Sequence, residues 1–312
     1  MMKTISLINY KGGVGKTTVT ANLGAQLART GLRVLMVDLD PQTSLTFSFI
    51  PQDEWKTFEK TRTIKNWFDA HISQDTSFDI SSLVLNDLKV KPHIGSAGRL
   101  SLISSHLNLI NVDLDLAQDL GGGSDRTRSL NFLKIYGRLR TGLQSLNDQF
   151  DVVLVDCPPN FNIVTRTAIV ASDYIVVPTK ADYLSTIGFE GLAANIQRFK
   201  EDYNKRCVEW PEQGSKIDPQ WLGIVFTMVN LRLGEPIRNQ KGYVETVISV
   251  ATKLVGKDIV FDEYIRENKT EHAVAPEDGI PVVLGSRPGE TYRAVRQEFV
   301  DFSKAVRERA DL

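Results

Sequence analysis

Residues Asn9–Thr18 read NYKGGVGKTT and lie between an apolar run, Ile5–Ile8, and a stretch of helical periodicity that begins near Val19. Closely spaced glycines let backbone N–H groups turn towards phosphate oxygens without a Cβ clash. The start of a helix adds unsatisfied amides and about half a positive charge. A strand, a glycine-rich turn and a helix in this order predict a phosphate-binding loop.

Two side chains of this loop have the spacing that a nucleoside triphosphate needs. Lys16 can reach the β- and γ-phosphates, and the hydroxyl of Thr17 can ligate Mg²⁺. The loop departs from the common pattern G-x-x-x-x-G-K-[ST], because Tyr10 stands where the first glycine is expected and Lys11 adds a second lysine. We expect the rest of the ATP-binding loop to be formed by Gly12, Gly13, Val14, Gly15 and Thr18.

The rest of the chain alternates strand-length apolar runs with helix-length amphipathic stretches, a rhythm that favours a parallel sheet covered on both faces. The predicted strands are Ile5–Asn9, Arg33–Asp38, Leu100–Ser104, Asp151–Asp156, Tyr174–Pro178, Trp221–Val229 and Ile259–Tyr264. The predicted helices are Val19–Thr30, Arg126–Asn147, Asn162–Ala171, Thr186–Lys205, Gly242–Leu254 and Glu290–Arg309. We therefore expect an α/β protein, a three-layer α/β/α P-loop fold with a mostly parallel twisted sheet of about seven or eight strands.

The organisation along the chain favours a single domain over residues 1–312. Two segments fit the alternation poorly. Residues 43–99 are longer than a simple crossover, and we interpret them as one or two helices and a loop on the sheet edge. Residues 206–220, with two prolines and a glycine, are interpreted as a polar surface insertion.

Carboxylates end two of the predicted strands. Asp38 and Asp40 follow the run Arg33–Asp38, and Asp156 ends a later one. Ligands of open α/β sheets bind at the carboxyl ends of strands, so these side chains should lie beside the phosphate loop if the second strand neighbours the first. Their alternate spacing predicts that Asp38 and Asp40 point to the same side.

Composition excludes several classes of protein. The 312 residues are 42% apolar and 24% charged, which is typical of a globular chain rather than a collagen-like or disordered one. No apolar run approaches the roughly 18–20 residues that span a bilayer. Two cysteines, Cys157 and Cys207, cannot form a disulfide framework or a Cys-x-x-Cys metal site. The net charge of -1 means that nucleic-acid binding would need a local patch or several assembled chains.

The string Lys11–Thr18 (KGGVGKTT) resembles the deviant Walker A motif of the family that contains ParA partition ATPases, MinD, nitrogenase iron protein and arsenical-pump ATPases. DLDPQ at Asp38–Gln42 is similar to the ParA form of switch I, and CPPN at Cys157–Asn160 resembles switch II. The resemblance extends over most of the chain. It implies an ATPase that uses ATP and Mg²⁺.

The resemblance also implies roles for individual side chains. Lys11 would reach across a nucleotide-sandwich homodimer to the phosphates held by the other subunit. Asp40 would position or activate the attacking water. Asp38 would lie near Mg²⁺, which Asp156 would hold through a water. Catalysis would then depend on Lys11, Lys16 and Asp40.

Further positions match the family's base and DNA contacts. Met228 and Asn230 fall at the strand end that contacts adenine in the family, and Asn230 can offer a donor and an acceptor to a base edge. Pro281 would wall the base. Arg266 and Lys269 in the stretch RENK match positions where small ParA proteins carry arginines for nonspecific DNA binding.

Taken together, the resemblance implies a dimeric ATP-dependent switch that binds DNA nonspecifically and positions a cargo. A ParB-like or cargo adaptor protein would stimulate hydrolysis, and the protein would be cytoplasmic and associated with the nucleoid. Two alternatives stay open: a MinD-like membrane-associated positioning ATPase and a P-loop ligase of the dethiobiotin synthetase type. Iron–sulfur members need paired cysteines. No membrane partner is expected, because residues 290–312 carry five basic and five acidic side chains and their apolar stripe predicts core packing.

Overall fold

The central element of the protein is a sheet of seven strands in the order β3-β2-β4-β1-β5-β6-β9, in which every neighbouring pair is parallel. The computed structural model describes residues 1–72, 78–256, 259–272 and 279–312. The strands of this sheet are β1 (Lys3–Leu7), β2 (Arg33–Asp38), β3 (Arg99–Ile103), β4 (Val152–Asp156), β5 (Tyr174–Lys180), β6 (Gln220–Val229) and β9 (Val260–Arg266). All seven predicted strands form, and the predicted fold class is confirmed.

Two helical layers cover the sheet. One face is covered by α1 (Lys16–Arg29), α2 (Ser44–Phe47), α3 (Gln52–Lys56), α5 (Lys91–Ile94) and the last helix, α11 (Glu290–Ala310). The other face is covered by α4 (Ile64–Ile72), α6 (Leu109–Gly121), α7 (Asp125–Gln144), α8 (Ile163–Ala171), α9 (Tyr183–Glu209) and α10 (Arg238–Val255). The strands supply both cores: Val34 and Met36 of β2 pack in the first layer, and Leu35 and Val37 in the second. This alternation explains why the strands read as continuous apolar runs.

The segment 43–99 is more finely divided than predicted. It contains α2, α3, α4, α5 and a 3₁₀ turn at Ile80–Leu83, and residues 73–77 lie outside the described part. Trp55, Trp67 and Phe68 are buried, and Trp55 donates its indole N–H to Ser104 Oγ at 3.1 Å. Leu85 forms an antiparallel bridge to Leu102 of the edge strand β3. The segment therefore covers that sheet edge, as expected, but it does so with four short helices.

The loop between α9 and β6 is shorter than the surface insertion interpreted at residues 206–220. Helix α9 continues to Glu209, four residues beyond its predicted end, and β6 begins at Gln220. Ile217 in the intervening loop is buried, and its backbone N–H and C=O both bond to the side chain of Asn204. A small hairpin, β7 (Leu231–Arg232) and β8 (Glu235–Pro236), was not predicted.

The strand order places a crevice at the carboxyl end of β1. Strand β1 lies between β4 and β5, and the helix that follows β1 packs on the opposite face from the helix that follows β4. Such a reversal leaves a gap above the strand ends, where open α/β sheets bind ligands. Strand β4 separates β2 from β1, so the second strand does not neighbour the first.

Candidate functional site

The loop between β1 and α1 has the backbone that its glycines predict. Gly13 and Gly15 have φ angles of 66° and 78°, which L-residues with a side chain rarely adopt. Helix α1 begins at Lys16, three residues earlier than predicted, so its free N–H groups face the loop. A Cβ at either glycine would strain the turn, and the loop therefore needs glycine at both positions.

Two polar side chains outside the loop hold it in place. Thr227 Oγ1 lies 2.8 Å from the carbonyl oxygen of Val14 and 3.1 Å from that of Thr179. Asn9 donates from Nδ2 to the carbonyl oxygen of Pro178 at 2.8 Å, and its Oδ1 accepts from Lys11 N–H at 3.0 Å. The loop is thus attached to the strand ends of β5 and β6 before any ligand binds.

Lys16 is a buried ammonium at the centre of the loop. The residue is 6% exposed, and its Nζ donates to the carbonyl oxygens of Asn9 at 3.2 Å and Lys11 at 3.3 Å. Burial lowers the pKa of Lys16, while the carboxylates of Asp156 and Asp40 act in the opposite direction. The hydrogen bonds of this buried ammonium go to neutral carbonyls, so beyond the nearby carboxylates it attracts further anionic oxygen.

The neighbouring Thr17 and Asp156 make a donor set that suits Mg²⁺. Thr17 Oγ1 donates to Asp156 Oδ2 at 2.7 Å, and burial raises the pKa of Asp156. No group of three or more His, Cys, Asp and Glu side chains is placed to hold a metal within the described residues. Mg²⁺ does not need one, because it binds through one or two protein ligands together with phosphate oxygens and water. A hydroxyl and a carboxylate oxygen in contact fit that requirement.

Asp38 and Asp40 have different surroundings, because β2 ends at Asp38 and the strand alternation stops there. Asp38 is fully buried and accepts from the N–H of Asp40 at 3.1 Å and from both the N–H and the hydroxyl of Thr46, at 2.8 and 2.7 Å. Burial and the nearby Asp156 raise the pKa of Asp38. Asp38 thus anchors the backbone of Asp40 and helix α2, whereas Asp40 faces a cavity.

This cavity has a volume of about 650 Å³ and opens above the phosphate loop. Most of the predicted ATP-binding residues line it: Gly12, Gly13, Val14, Gly15, Lys16, Thr17, Thr18, Met228 and Pro281, together with Asp40. Met228 has a left-handed φ of 54° at a point where the pairing of β6 with β9 shifts register. Asn230 is exposed and is not among the lining residues; its N–H donates to Gln240 Oε1 at 2.8 Å.

Sequence reasoning assigned no role to several lining residues, which are Ala21, Asn22, Ser44, Phe47, Ser48 and His272, whereas Gln42 and Pro159 belong to the stretches that resemble switch I and switch II. Asn22 donates to the carbonyl oxygen of Thr18 at 2.9 Å and accepts from Val283 N–H at 3.1 Å. It therefore joins the start of α1 to the segment that contains Pro281. Its position one turn after Thr18 on the same helix face was a usable signal. Ala21 also lies on α1, and the others come from short helices and loops without periodicity.

Lys11 does not face the cavity. Its Nζ lies 2.6 Å from Asp182 Oδ2, and the side chains of Lys11 and Asp182 are 30% and 39% exposed to solvent. Asp182 also caps α9, since its Oδ1 accepts from Ser185 N–H at 2.9 Å. Hydrogen bonds from Lys11 and Ser185 lower the pKa of Asp182 against the effect of burial. The loop's additional lysine is thus paired within its own chain.

The two predicted DNA-binding residues, Arg266 and Lys269, have different surroundings. Arg266 donates from Nε to Glu298 Oε1 at 2.5 Å, and its backbone N–H donates to Glu298 Oε2 at 3.0 Å. Only 13% of the Glu298 side chain is exposed, so this pair is largely internal. Lys269 is exposed. A phosphate group would reach Lys269 directly but would have to compete with Glu298 for Arg266.

The loop after β4 is fastened to its surroundings by α6. Asp113 of α6 accepts hydrogen bonds from Val164 N–H, at 3.0 Å, and from the side-chain amide of Asn162. Asn162 caps α8, its Oδ1 accepting from Thr165 N–H at 3.0 Å. Burial raises the pKa of Asp113 to about 6, while the N–H groups of α8 and the charge of Arg166 act to lower it. Asp113 therefore joins helix α6 to the start of α8 by two hydrogen bonds.

Comparison with known proteins agrees with this arrangement. A family model described as an AAA domain matches residues 2–208. An uncharacterized protein of Pseudomonas putida is 30% identical over 204 residues, 65% of this chain and 66% of the relative. The sporulation initiation inhibitor protein Soj of Bacillus subtilis is 27% identical over 301 residues (96% and 98%), and the chromosome partitioning protein ParA of Caulobacter vibrioides is 27% identical over 285 residues (91% and 87%).

Solved structures share the fold. Nucleotide-free McdA from Cyanothece superposes with a TM-score of 0.69 at 19% identity, over 99% of this chain and all of that one. The ATP complex of a McdA variant superposes with a TM-score of 0.67 at 20% identity, over 100% and 97%. Among the described residues, no helix is long and apolar enough to cross a membrane.

The buried carboxylate of Asp113 makes stability depend on pH in a defined direction. Its pKa is raised from 3.8 to about 6, so between these values the folded protein holds a proton that the unfolded chain releases. The free energy of unfolding should therefore fall as pH rises through that window. In Asp113→Asn the free energy of unfolding should fall less steeply with pH. In Asp115→Asn, which changes an exposed side chain of α6, it should depend on pH as in the wild type. Urea denaturation at a series of pH values measures this, and parallel curves for wild type and Asp113→Asn contradict it.

Proposed function

Because this chain belongs to the ParA family of P-loop ATPases, we propose that it is an ATP-dependent switch: it dimerises around ATP and Mg²⁺, hydrolyses the ATP, binds DNA nonspecifically as the dimer and positions a cargo with the help of a stimulating partner protein. The observation that carries the proposal is the buried Lys16, whose ammonium donates to loop carbonyls beside the Thr17–Asp156 contact. Phosphate oxygens are the acceptors that this ammonium and the N–H groups of the loop would bind.

In this proposal the residues of the site divide the work of phosphoryl transfer. The backbone of Gly12–Thr18 and the Lys16 ammonium bind the phosphates, and Thr17 and Asp156 would hold Mg²⁺, which would neutralise charge on the phosphate oxygens. Asp40 orients the attacking water, since its carboxylate faces the cavity above the loop. Met228 and Pro281 flank the base. Asp38 acts indirectly by fixing the backbone of Asp40 and Thr46.

Measurements of ATP binding and of ATP turnover distinguish the proposed roles of Lys16 and Asp40. Lys16→Ala should abolish binding of ATP, because the phosphates lose their central cation. Asp40→Ala should bind ATP with Mg²⁺ but reduce turnover by about 10²-fold or more, because the water is no longer oriented. Fluorescent-nucleotide binding and phosphate release measure the two quantities. Tight ATP binding by Lys16→Ala, or wild-type turnover by Asp40→Ala, contradicts the assignment.

Lys11 can serve a partner's nucleotide only after it leaves Asp182, so this ion pair opposes dimerisation. Partly exposed ion pairs contribute about 0.2–1 kcal/mol, and Asp182→Asn should lower the protein concentration for half-maximal ATPase activity by about two- to fivefold. Asp218→Asn, which removes the remote pair with Lys200, is the matched control. An unchanged or higher concentration in Asp182→Asn, with the control unchanged, contradicts this role.

DNA binding and membrane binding give different results in co-sedimentation with Mg²⁺ and a non-hydrolysable ATP analogue. We expect the protein to sediment with random-sequence duplex DNA, with affinity that falls steeply as salt rises, and not with anionic vesicles. Its last helix supports this choice, because the apolar stripe Tyr292, Val295, Phe299, Phe302 and Val306 is buried in the core.

Within this assay, Lys269→Glu is the informative variant, since Arg266→Glu would also place a second carboxylate against Glu298. Lys269→Glu should weaken DNA binding without changing ATP binding. Unchanged DNA binding by Lys269→Glu at low salt would show that the DNA-binding surface lies elsewhere. Sedimentation of the wild-type protein with vesicles but not with DNA would support the MinD-like alternative.

A further inference from the structure

A second cavity, of about 290 Å³, lies where the last residue of α1, helix α5 and the first turns of α11 meet. We name it the arginine cavity, because its described lining includes no carboxylate and four arginines, which are Arg29, Arg287, Arg293 and Arg296. Arg29 ends α1 and Lys16 begins it, so about 20 Å of helix separate this cavity from the phosphate loop. The arginine cavity is therefore a different site from the nucleotide cavity.

Backbone carbonyls position three of these guanidinium groups. Arg29 Nη1 and Arg296 Nε both donate to the carbonyl oxygen of Val283, at 3.2 and 3.0 Å. Arg293 Nε donates to the carbonyl oxygen of Gly289 at 3.3 Å. A guanidinium group has five N–H donors, so each of the three keeps most of its donors for another acceptor. The neutral carbonyls orient these groups without cancelling their charge.

The positive charge of the arginine cavity is not balanced by neighbouring carboxylates. Within the described part of the chain, the three guanidinium groups held by carbonyls form no ion pair. The fourth, that of Arg287, lies 3.6 Å from the carboxylate of Glu271, which lines an adjoining cavity of about 200 Å³. Glu290, in the first turn of α11, is exposed. A concave surface lined by charge of one sign concentrates ligands of the opposite sign.

One wall of the arginine cavity is fixed by packing. Tyr292 is 3% exposed, and its hydroxyl donates to the carbonyl oxygen of Val282 at 2.7 Å. Burial raises the pKa of Tyr292, whereas the charges of Arg287 and Arg296 lower it, so both guanidinium groups lie near the phenol. A Cβ at Gly285 would lie 2.4 Å from the Tyr292 hydroxyl. The segment after Val282 therefore needs glycine at position 285 to lie against this ring.

We propose that the arginine cavity binds a small molecule that carries two phosphate groups. A phosphate monoester carries about -1.5 to -2 charges at pH 7, so two such groups balance the three guanidinium charges that have no carboxylate partner. Arginine suits this ligand because its planar pairs of N–H groups match pairs of phosphate oxygens. The inference does not rest on the proposed function.

The shape of the cavity favours a small molecule over duplex DNA. Pockets for small molecules are concave and begin at about 300 Å³, close to the volume of the arginine cavity. A small molecule with two phosphate groups would lie among the arginines, whereas the backbone of a duplex would meet them only at the mouth of the cavity.

Inorganic pyrophosphate is the probe, because it carries two phosphate groups and neither base nor sugar. It can also occupy the phosphate loop, so isothermal titration calorimetry is done in the Lys16→Ala background, without Mg²⁺. Pyrophosphate should bind Lys16→Ala, and adding Arg293→Glu should weaken this binding by about tenfold or more. Arg293 is chosen because its loss leaves both hydrogen bonds to Val283 in place.

The matched control is Lys304→Glu, which makes the same change of charge at an exposed position three turns further along α11. It should bind pyrophosphate as the Lys16→Ala parent does. Arg293→Gln, which removes the charge without reversing it, should weaken binding less than Arg293→Glu and serves if the reversed variant does not fold. Absence of binding to Lys16→Ala, or equal weakening by Arg293→Glu and Lys304→Glu, overturns the proposal.

Two further titrations test the identity of the ligand. Inorganic phosphate should bind about tenfold more weakly than pyrophosphate, and equal affinities overturn the assignment of two phosphate groups. If a random-sequence duplex binds the wild type and is lost in Arg293→Glu while pyrophosphate does not bind, the cavity is a DNA contact and the proposal is overturned. None of these titrations needs ATP turnover, so failure of the proposed function leaves their outcome interpretable.

Discussion

Two buried carboxylates facing each other across adjacent strands constrain the whole site. Asp38 and Asp156 are paired in register at the carboxyl ends of β2 and β4, and both are almost completely excluded from solvent. Buried charges are stable only when they are paired or hydrogen-bonded. Asp38 satisfies this through the N–H of Asp40 and through the N–H and hydroxyl of Thr46 in α2, and Asp156 through Thr17 and the nearby Lys16. These two carboxylates thereby position the phosphate loop and the segment that carries Asp40.

The same constraint connects the site to its surroundings. Asp38 holds Thr46, whose hydroxyl accepts from Ser105 N–H at 3.0 Å, and Ser105 donates to the carbonyl oxygen of Asp40 at 2.8 Å. On the other side, the loop after Asp156 leads to the cap of α8 and to Asp113. A ligand that changes the charge balance at the centre would act on both segments at once. The proposed switch therefore depends on one electrostatic centre.

The sequence was sufficient for the fold and for the residues local to one motif. Continuous apolar runs of β-branched residues, such as Val152–Val155, can only be strands covered on both faces, and the glycine spacing determined the loop between β1 and α1. Contacts between distant residues were not predictable. Nothing in the composition of residues 181–183 pairs Asp182 with Lys11, and Thr227 reaches Val14 only because β6 lies two strands from β1. The position of Asn230 outside the cavity follows from the left-handed turn at Met228.

The central claim is that two copies of the chain close around nucleotide, each contributing Lys11 to the other. Sedimentation velocity of the wild-type protein with Mg²⁺ and a non-hydrolysable ATP analogue tests it most directly. If two copies close around nucleotide, the protein should sediment with the analogue as a species of twice the 34.9 kDa chain mass, and as a single chain with ADP or without nucleotide. A protein that is saturated with the analogue, as shown by binding in the same solution, yet sediments as one chain would contradict it.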